Sequence, residues 1–96
     1  MRIVTIDTTP WTVYLLRTNE NKLYCGITNN MARRFLQHET GKGAKSLRGR
    51  GPLHLVWTQE VANKSEALKT EIAIKKLPKA TKENLVVNAS VFVRNE

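Results

Sequence analysis

Alternating apolar and polar positions near the start of the chain predict two paired β-strands. Residues 12–18 (TVYLLRT) and residues 22–28 (KLYCGIT) are rich in β-branched and aromatic side chains. The polar sequence NEN between them is typical of a turn, so the two strands are expected to form a hairpin.

The register of this hairpin follows from the side-chain alternation of each strand. Only one register gives a uniformly apolar face, because a slip by one residue would mix the two faces. The residues on that apolar face are Val13, Leu15, Leu23, Cys25 and Ile27. The same register places Tyr14 and Tyr24 together on the opposite face, with no apolar company evident in the sequence, and it requires a loop with an odd number of residues.

A helix is expected directly after the second strand. Asn29 or Asn30 can cap the segment MARRFLQHE at its N-terminus, and Gly41 can end the helix. Met31 and Phe35 are spaced by about one helical turn and form an apolar pair that can pack on the sheet.

The same helix carries an arginine and a histidine that are four residues apart. Arg34 and His38 therefore lie on one face of the helix. The following segment, TGKGAKSLRGRGP (40–52), is glycine-rich and strongly basic, and it suits neither regular structure, so an exposed loop is expected. Its cations, which can neutralise a phosphate backbone or simply face solvent, are Lys42, Lys45, Arg48 and Arg50.

A third strand is expected at residues 53–60 (LHLVWTQE). Strict alternation along this strand would place Leu53, Leu55 and Trp57 on one face. Asn63 and Glu66 then have the spacing of a reciprocal N-terminal cap for the next helix.

That helix is expected to run from about Ser65 to Leu77. Its buried stripe should contain Leu68 and Ile72, with Ala67 and Ile74 at the other margin. Glu71 falls between these two groups around the helix axis, which makes it a carboxylate among apolar positions.

Pro78 ends the helix, and KATKENLVV begins a shorter third helix. The tail NASVFVRNE is ambiguous, since Val91, Phe92 and Val93 can dock as a strand or pack on the surface. The elements therefore predict an α+β fold in which a small, mainly antiparallel three-stranded sheet is flanked by helices, in the order β-β-α-β-α-α.

Length and charge narrow the class of protein. A chain of 96 residues forms one domain, here with a core at about residues 11–87 and a tail at 88–96. No apolar run is long enough to cross a bilayer, and MRIVTIDTTPW lacks the features of a secretion signal, so a cytoplasmic protein is expected. The formal net charge of +8 favours nucleic acid as partner, although it does not distinguish DNA from RNA or a nuclease from a passive binder.

Five side chains are candidates for chemistry, and each has an ordinary structural alternative. A phenol such as Tyr14 or Tyr24 can accept a proton from water when positive charge lowers its pKa, or it can be an interfacial packing residue. Arg34 can bind a phosphate or be solvated, and His38 can pair with a neighbour. Glu71 can form a salt bridge or hold a hard divalent cation, most naturally magnesium.

The single cysteine offers little for a functional site. Cys25 is the only cysteine, which excludes an intramolecular disulfide and makes a cysteine-based zinc site implausible. Its position in a strand predicts a small buried hydrophobic residue.

In this order, the motifs resemble the GIY-YIG nuclease superfamily, in particular its small stand-alone bacterial-type members. TVY at residues 12–14 and YCG at residues 24–26 stand in the places of the two signature triplets, the first keeping only its tyrosine. They are followed by Arg33 and Arg34, by His38, by GKGAKSLRGRGPL and by the helix that carries Glu71. The likeness covers roughly residues 11–87.

The resemblance implies metal-dependent hydrolysis of a phosphodiester. By that analogy Tyr14 is the general base for water, Tyr24 assists it and His38 joins the proton network. Arg34 would stabilise the charge on the pentavalent phosphate, and Glu71 would bind a single magnesium, with manganese as the alternative metal. Supporting positions implied by the same motifs are Gly26, Arg33 and Asn84.

The leading hypothesis is a magnesium-dependent DNA endonuclease, selective for DNA structure and linked to repair or recombination. The alternative is a nucleic-acid-binding module that keeps the nuclease fold with little activity. A third hypothesis is a domain whose basic surface binds an acidic protein partner. The sequence does not determine the oligomeric state.

Overall fold

The computed structural model describes residues 9–94. Its strands and α-helices are β1 (Trp11–Arg17), β2 (Leu23–Thr28), α1 (Met31–Glu39), β3 (His54–Val61), α2 (Lys64–Lys75) and α3 (Lys79–Asn88), with a short 3-10 helix, η1, at Lys45–Leu47. The strands form one antiparallel sheet in the order β2-β1-β3. The architecture is the α+β fold, with the element order, that the sequence predicts. The segment MRIVTIDT, on which the expectation about a secretion signal partly rests, lies outside the described residues.

The register of the β1–β2 hairpin is the predicted one. Val13 pairs with Ile27 and Leu15 with Cys25, so the predicted apolar face exists. Residues 18–22, an odd number, separate the last pair of the ladder. Tyr14 pairs with Gly26, and Tyr24, two pairs further along, lies on the same face as Tyr14.

Both faces of the sheet are covered. On the first face α2 and α3 enclose a core made of Val13, Leu15, Cys25, Trp57, Ala67, Ile74 and Leu85. On the second face a smaller core contains Tyr14, Leu16, Leu47 and Leu53, against which Met31, Phe35 and Tyr24 pack.

The expectation that the tyrosines have no apolar company was therefore wrong. The basic loop is expected to be exposed, but it folds back through η1 and places Leu47, which is 3% exposed, on the second face. Leu53, α1 and η1 together enclose the tyrosine rings, a long-range arrangement that local polarity does not reveal.

A β-bulge in β3 overturns a second expectation. Leu15 pairs with Trp57 but Leu16 pairs with Leu55, so Val56 is an extra residue between the two pairs. The bulge breaks the two-residue alternation. Leu53 consequently belongs to the second core and Trp57 to the first, instead of sharing one face.

Helix α2 buries one margin of the predicted stripe, Ala67 and Ile74, but not its expected centre. Leu68 and Ile72 are 42% and 52% exposed, whereas Ala67, Thr70 and Ile74 face the sheet. The helix rotates in this way because small Ala67 permits a close approach to β1 and β2.

The N-terminus of α2 forms half of the predicted cap. Asn63 Oδ1 accepts a hydrogen bond from Glu66 N at 3.0 Å. The Glu66 carboxylate instead accepts from Arg94 Nη2 at 2.5 Å, so the reciprocal half of the cap is replaced by a contact with the tail.

The tail docks without forming a strand. Phe92 N donates to Gln59 Oε1 at 2.7 Å, and Gln59 Nε2 donates to the Phe92 carbonyl at 3.0 Å. Trp57 Nε1 donates to the Ser90 carbonyl at 2.9 Å. The side chain of Gln59 thus supplies the two bonds that a neighbouring strand would make, and Phe92 packs on the first core.

Candidate active site

Helix α1 aims Arg34 and His38 at the second face of the sheet. Asn30 caps the helix by accepting from Arg33 N at 3.1 Å, as predicted. Met31 and Phe35 anchor the helix on the second core. Because Arg34 and His38 are one turn apart on the same side, both reach the tyrosines.

The centre of the site is a cluster of three rings. The hydroxyl of Tyr14 lies 2.7 Å from His38 Nε2, and the two side chains are 1% and 2% exposed. The Tyr24 ring centroid lies 6.4 Å from that of Tyr14 and 5.5 Å from that of His38. We call Tyr14, Tyr24 and His38 the ring cluster.

Gly26 makes room for this cluster. A Cβ atom at residue 26 would lie 2.3 Å from Tyr14 Oη and 2.5 Å from Tyr14 Cζ, well inside van der Waals contact. The resemblance implies only that Gly26 is a supporting position of the site. The structure shows that the Tyr14 ring occupies the space that a Cβ at this residue would need.

A second close approach involves the loop after α1. Ala44 N donates to His38 Nδ1 at 3.2 Å, and a Cβ at residue 43 would lie 2.2 Å from the same nitrogen. Sequence reasoning assigned Gly43 only to a phosphate-binding loop and missed this contact. The signal was the spacing of a Gly-Ala pair shortly after the histidine, in a turn that Gly41 opens with φ of 79°.

Burial controls the ionisation of the ring cluster. Burial raises the pKa of Tyr14 to about 12, opposed by hydrogen bonding and positive charge from Arg34. Burial also raises the pKa of Tyr24, while Lys75 and Arg34 lower it and Glu71 raises it further. The pKa of His38 is lowered, first by burial and then by the charge of Arg34. Both phenols are therefore protonated and His38 is neutral near pH 7.

The two adjacent arginines have different environments. Arg34 is half-buried, donates from Nη1 to Gln37 Oε1 at 3.1 Å and contacts the ring cluster. Arg33 is exposed. Of these two arginines, therefore, only Arg34 places its guanidinium beside the hydroxyl of Tyr14.

Glu71 lies on α2, which packs against β1 and β2 on the first face of the sheet. Its side chain is 18% exposed and forms an ion pair with Lys75 Nζ at 3.5 Å. The negative charge of Glu71 raises the pKa of Tyr24 and that of Cys25. Tyr24 is thus the tyrosine of the site whose pKa depends on the charges of both Arg34 and Glu71.

The residues present fit magnesium better than zinc. Within residues 9–94, no three His, Cys, Asp or Glu side chains come together as a metal-binding group. Magnesium is commonly held by one or two carboxylates, with water and substrate phosphate as the other ligands. A single half-buried carboxylate such as Glu71 matches that pattern.

The remaining predicted positions lie outside the ring cluster. Asn84 is exposed on α3, and no hydrogen bond described for residues 9–94 involves its side chain. Cys25 is buried as predicted, and burial raises the pKa of its thiol to about 12, which makes it a poor nucleophile.

Two cations of the basic loop have partners within the protein, and two point to solvent without an ion pair among the described residues. Arg50 pairs with Glu20, and Arg48 Nε donates to the Gly41 carbonyl at 3.1 Å. Lys42 and Lys45 are exposed and have no ion pair among the described residues. A cleft of about 250 Å³ between this loop and β2 is lined by Tyr24, Lys22, Arg50, Leu47 and neighbouring residues.

Comparison with known proteins identifies the family of this chain. Residues 10–84 match the family model of the GIY-YIG catalytic domain. The chain is 56% identical over 82 residues to a UPF0213 protein of Vibrio campbellii, covering 85% of this chain and 79% of that protein. It is 52% identical over 84 residues to the UPF0213 protein YhbQ of Escherichia coli, covering 88% and 84% of the two chains.

A solved structure agrees with the fold. The solution NMR structure of the UPF0213 protein BH0048 from Bacillus halodurans matches with a TM-score of 0.53 and 41% identity, over 81% of this chain and 83% of that one. Among residues 9–94, no helix has the length and hydrophobicity needed to cross a bilayer. Because the family model matches most of the chain and curated relatives are more than half identical to it, this protein belongs to the GIY-YIG family, which implies a function of the nuclease type.

Proposed function

We propose that this protein is a magnesium-dependent endonuclease that hydrolyses DNA phosphodiester bonds. The observation that carries the proposal is the juxtaposition of Tyr14, His38 and Arg34 on one face of the sheet, with Tyr24 packed beside them and sensitive to the charge of Glu71. A base, a phosphate-binding cation and a metal-binding carboxylate are the groups that such a hydrolysis needs.

The roles follow from the chemistry of each group. Arg34 presents a planar fork of donors that can stabilise the charge that develops on the phosphate oxygens. Glu71 would hold magnesium, or manganese as the alternative, and the bound metal would polarise the phosphate and acidify water. Lys75, which pairs with Glu71, would be released from that carboxylate when a cation binds.

Tyr14 is the proposed general base. Its oxygen lies beside two donors, His38 and Arg34, and both stabilise a phenolate. Because burial raises the pKa of Tyr14 to about 12, only a small fraction is ionised near neutrality, and the rate should increase with pH.

Tyr14 is only 1% exposed, which favours a second candidate for the general base. Tyr24 is more exposed, lines the cleft and feels the charge of Glu71, so it is the alternative base. Replacing each tyrosine with phenylalanine separates the two. The base should lose about 100-fold in single-turnover cleavage with unchanged DNA binding, and the other tyrosine should lose about tenfold or less. Equal, small losses in both variants would exclude a phenol as the base.

DNA is the proposed substrate. The net charge of +8 and the unpaired Lys42 and Lys45 supply a phosphate-binding surface next to the ring cluster. The domain would act on DNA structure rather than sequence, in repair or recombination, and in the cytoplasm. The double variant Lys42→Gln/Lys45→Gln should weaken binding to all DNA sequences alike. The slope of log binding constant against log salt concentration should become less steep by about 2.

The central experiment measures cleavage of linear, nicked, branched and single-stranded DNA, and of RNA, with magnesium and with a chelator. The variant is Glu71→Gln, which keeps the size of the side chain and removes its charge. Glu60→Gln is the matched control, because Glu60 is an exposed acid on β3 and the change in net charge is the same.

We expect cleavage of DNA by the wild type with magnesium and loss of at least about 100-fold in Glu71→Gln, with Glu60→Gln unchanged. Wild-type protein that is folded and binds DNA but cleaves nothing would overturn the proposal. Salt-sensitive binding that survives Glu71→Gln would then support the binding module instead. Failure of nucleic acid to compete with an acidic protein partner would support the interaction domain.

A further inference from the structure

Both ring nitrogens of His38 are engaged. Nε2 lies 2.7 Å from the hydroxyl oxygen of Tyr14, and Nδ1 lies 3.2 Å from the backbone nitrogen of Ala44. The imidazole is 2% exposed, so solvent does not compete for either nitrogen. The hydrogen bonds around His38 therefore determine where its proton resides.

The donor at Nδ1 determines the tautomer. A backbone N–H can only donate, so Nδ1 must present its lone pair to Ala44. A neutral imidazole carries one proton, which is then on Nε2. Nε2–H donates to the oxygen of Tyr14, and the hydroxyl hydrogen of Tyr14 must point to another acceptor.

We propose that the Gly43–Ala44 peptide is a positioning element that locks His38 in the Nε2–H tautomer and so makes His38 a permanent hydrogen-bond donor to Tyr14. The proposal rests on the proposed function for its catalytic meaning. It assigns Ala44 through its backbone N–H, and Gly43 through the absence of a side chain. His38, in this arrangement, stabilises a Tyr14 phenolate and cannot take the proton of Tyr14.

Residue 43 must be glycine because its backbone lies too close to His38 for a side chain. A Cβ at residue 43 would lie 2.2 Å from His38 Nδ1, 2.9 Å from Cε1 and 3.0 Å from the His38 Cα. Any side chain there would push the peptide away from the imidazole. The glycine thus allows the Ala44 N–H to reach Nδ1.

The surrounding groups keep His38 neutral. Arg34 from α1 faces it with a positive charge, while Tyr14 from β1 and Tyr24 from β2 face it as neutral phenols near pH 7. Protonation at Nδ1 would also break the bond from Ala44. Each of these contributions opposes a second proton on the ring.

Ala44→Pro tests the proposal. Ala44 has φ of −60° and ψ of 135°, which proline adopts without strain, and the preceding residue is glycine. The substitution therefore removes the N–H without straining the backbone, and the proline Cδ, which replaces the amide hydrogen, also pushes the peptide away from Nδ1. Ala44→Gly keeps the N–H and is the matched control. The readouts are ring ¹⁵N chemical shifts of His38, its pKa by NMR titration, and the pH profile of DNA cleavage.

In the wild type and in Ala44→Gly we expect a single Nε2–H tautomer and slow hydrogen exchange of the residue-44 amide. In Ala44→Pro we expect a detectable Nδ1–H fraction and a His38 pKa about 0.5 to 1 unit higher, from the loss of one hydrogen bond. Relative to Ala44→Gly at the same pH, cleavage by Ala44→Pro should fall about two- to tenfold above that pKa, where part of the neutral ring lacks the Nε2–H donor, and the difference should shrink below it, where the doubly protonated ring donates from Nε2 again.

An Nδ1–H tautomer in the wild type would overturn the proposal, whether or not Ala44→Pro folds. Equal His38 pKa values in Ala44→Pro and Ala44→Gly would also overturn it. The NMR readouts do not depend on catalysis. If the wild type cleaves no DNA while the tautomer and pKa behave as expected, the proposed function fails and the positioning role of the peptide stands.

Discussion

The substitution Gly26→Ala tests the link between the glycine of β2 and the ring cluster. A Cβ at this position would lie 2.3 Å from Tyr14 Oη, and an ordinary non-bonded contact needs about 3.5 Å, so the ring must move by about 1 Å. Tyr14 is 1% exposed and bonded to His38, so it cannot move outward freely.

The cost has two parts. Overpacking of a buried site costs about 1–3 kcal/mol, and the lost hydrogen bond between Tyr14 and His38 costs about 0.5–1.5 kcal/mol. The reduced entropy of the unfolded chain returns about 0.5 kcal/mol. The free energy of unfolding should therefore fall by about 1–4 kcal/mol, and the urea midpoint by about 1–3 M for a domain of this size.

The assay uses urea unfolding to measure how much Gly26→Ala lowers the free energy of unfolding. The substitution is made once in the otherwise wild-type protein and once in a protein that already carries Tyr14→Leu. All three atoms nearest to the new Cβ belong to the distal part of the Tyr14 ring, which leucine lacks. The cost should therefore drop below about 0.5 kcal/mol in the Tyr14→Leu background. Gly51→Ala is the control, because its nearest neighbour is Leu53 N at 3.8 Å. An equal cost of Gly26→Ala in both backgrounds would refute the steric explanation.

Four further predictions follow from the same structure. The logarithm of the single-turnover cleavage rate should rise by about one for each pH unit between about pH 7 and pH 9, because the pKa of Tyr14 lies near 12; a flat profile would exclude Tyr14 as base. Arg34→Gln should slow cleavage about 100-fold, and the adjacent exposed Arg33→Gln by only a few-fold. Ala89→Gly should raise the free energy of unfolding by about 0.5–1 kcal/mol, since φ at this residue is 49°. Gln59→Ala should lower it by about 1–2 kcal/mol and expose the tail to protease, since both hydrogen bonds to the tail backbone are lost. Unchanged urea midpoints would contradict the last two.

Local rules predicted the parts of the fold that depend on neighbouring residues. The β1–β2 register was correct because the backbone itself makes side chains alternate, and one register alone gives an apolar face. Asn30 and Gly41 were correctly placed at the ends of α1 because capping depends on adjacent backbone groups.

Contacts between distant segments were harder to predict. The bulge at Val56 adds one residue to β3, and hydrophobicity alone does not mark it. The orientation of α2 depends on how closely Ala67 can approach the sheet, so the larger Leu68 and Ile72 were wrongly chosen as its buried stripe. Leu47 was missed because its neighbours are basic and glycine-rich.

The sequence by itself determined which chemical groups the protein has, which strands and helices carry them, and that Tyr14 and Tyr24 share a face. These properties follow from composition and from the short periods of helices and strands. Only the tertiary structure decided that Tyr14 is enclosed and bonded to His38, and that a glycine-flanked peptide contacts the other side of the imidazole. Those contacts join segments far apart in the chain, and they arise when α1 and the basic loop pack together over the sheet, so no local pattern specifies them.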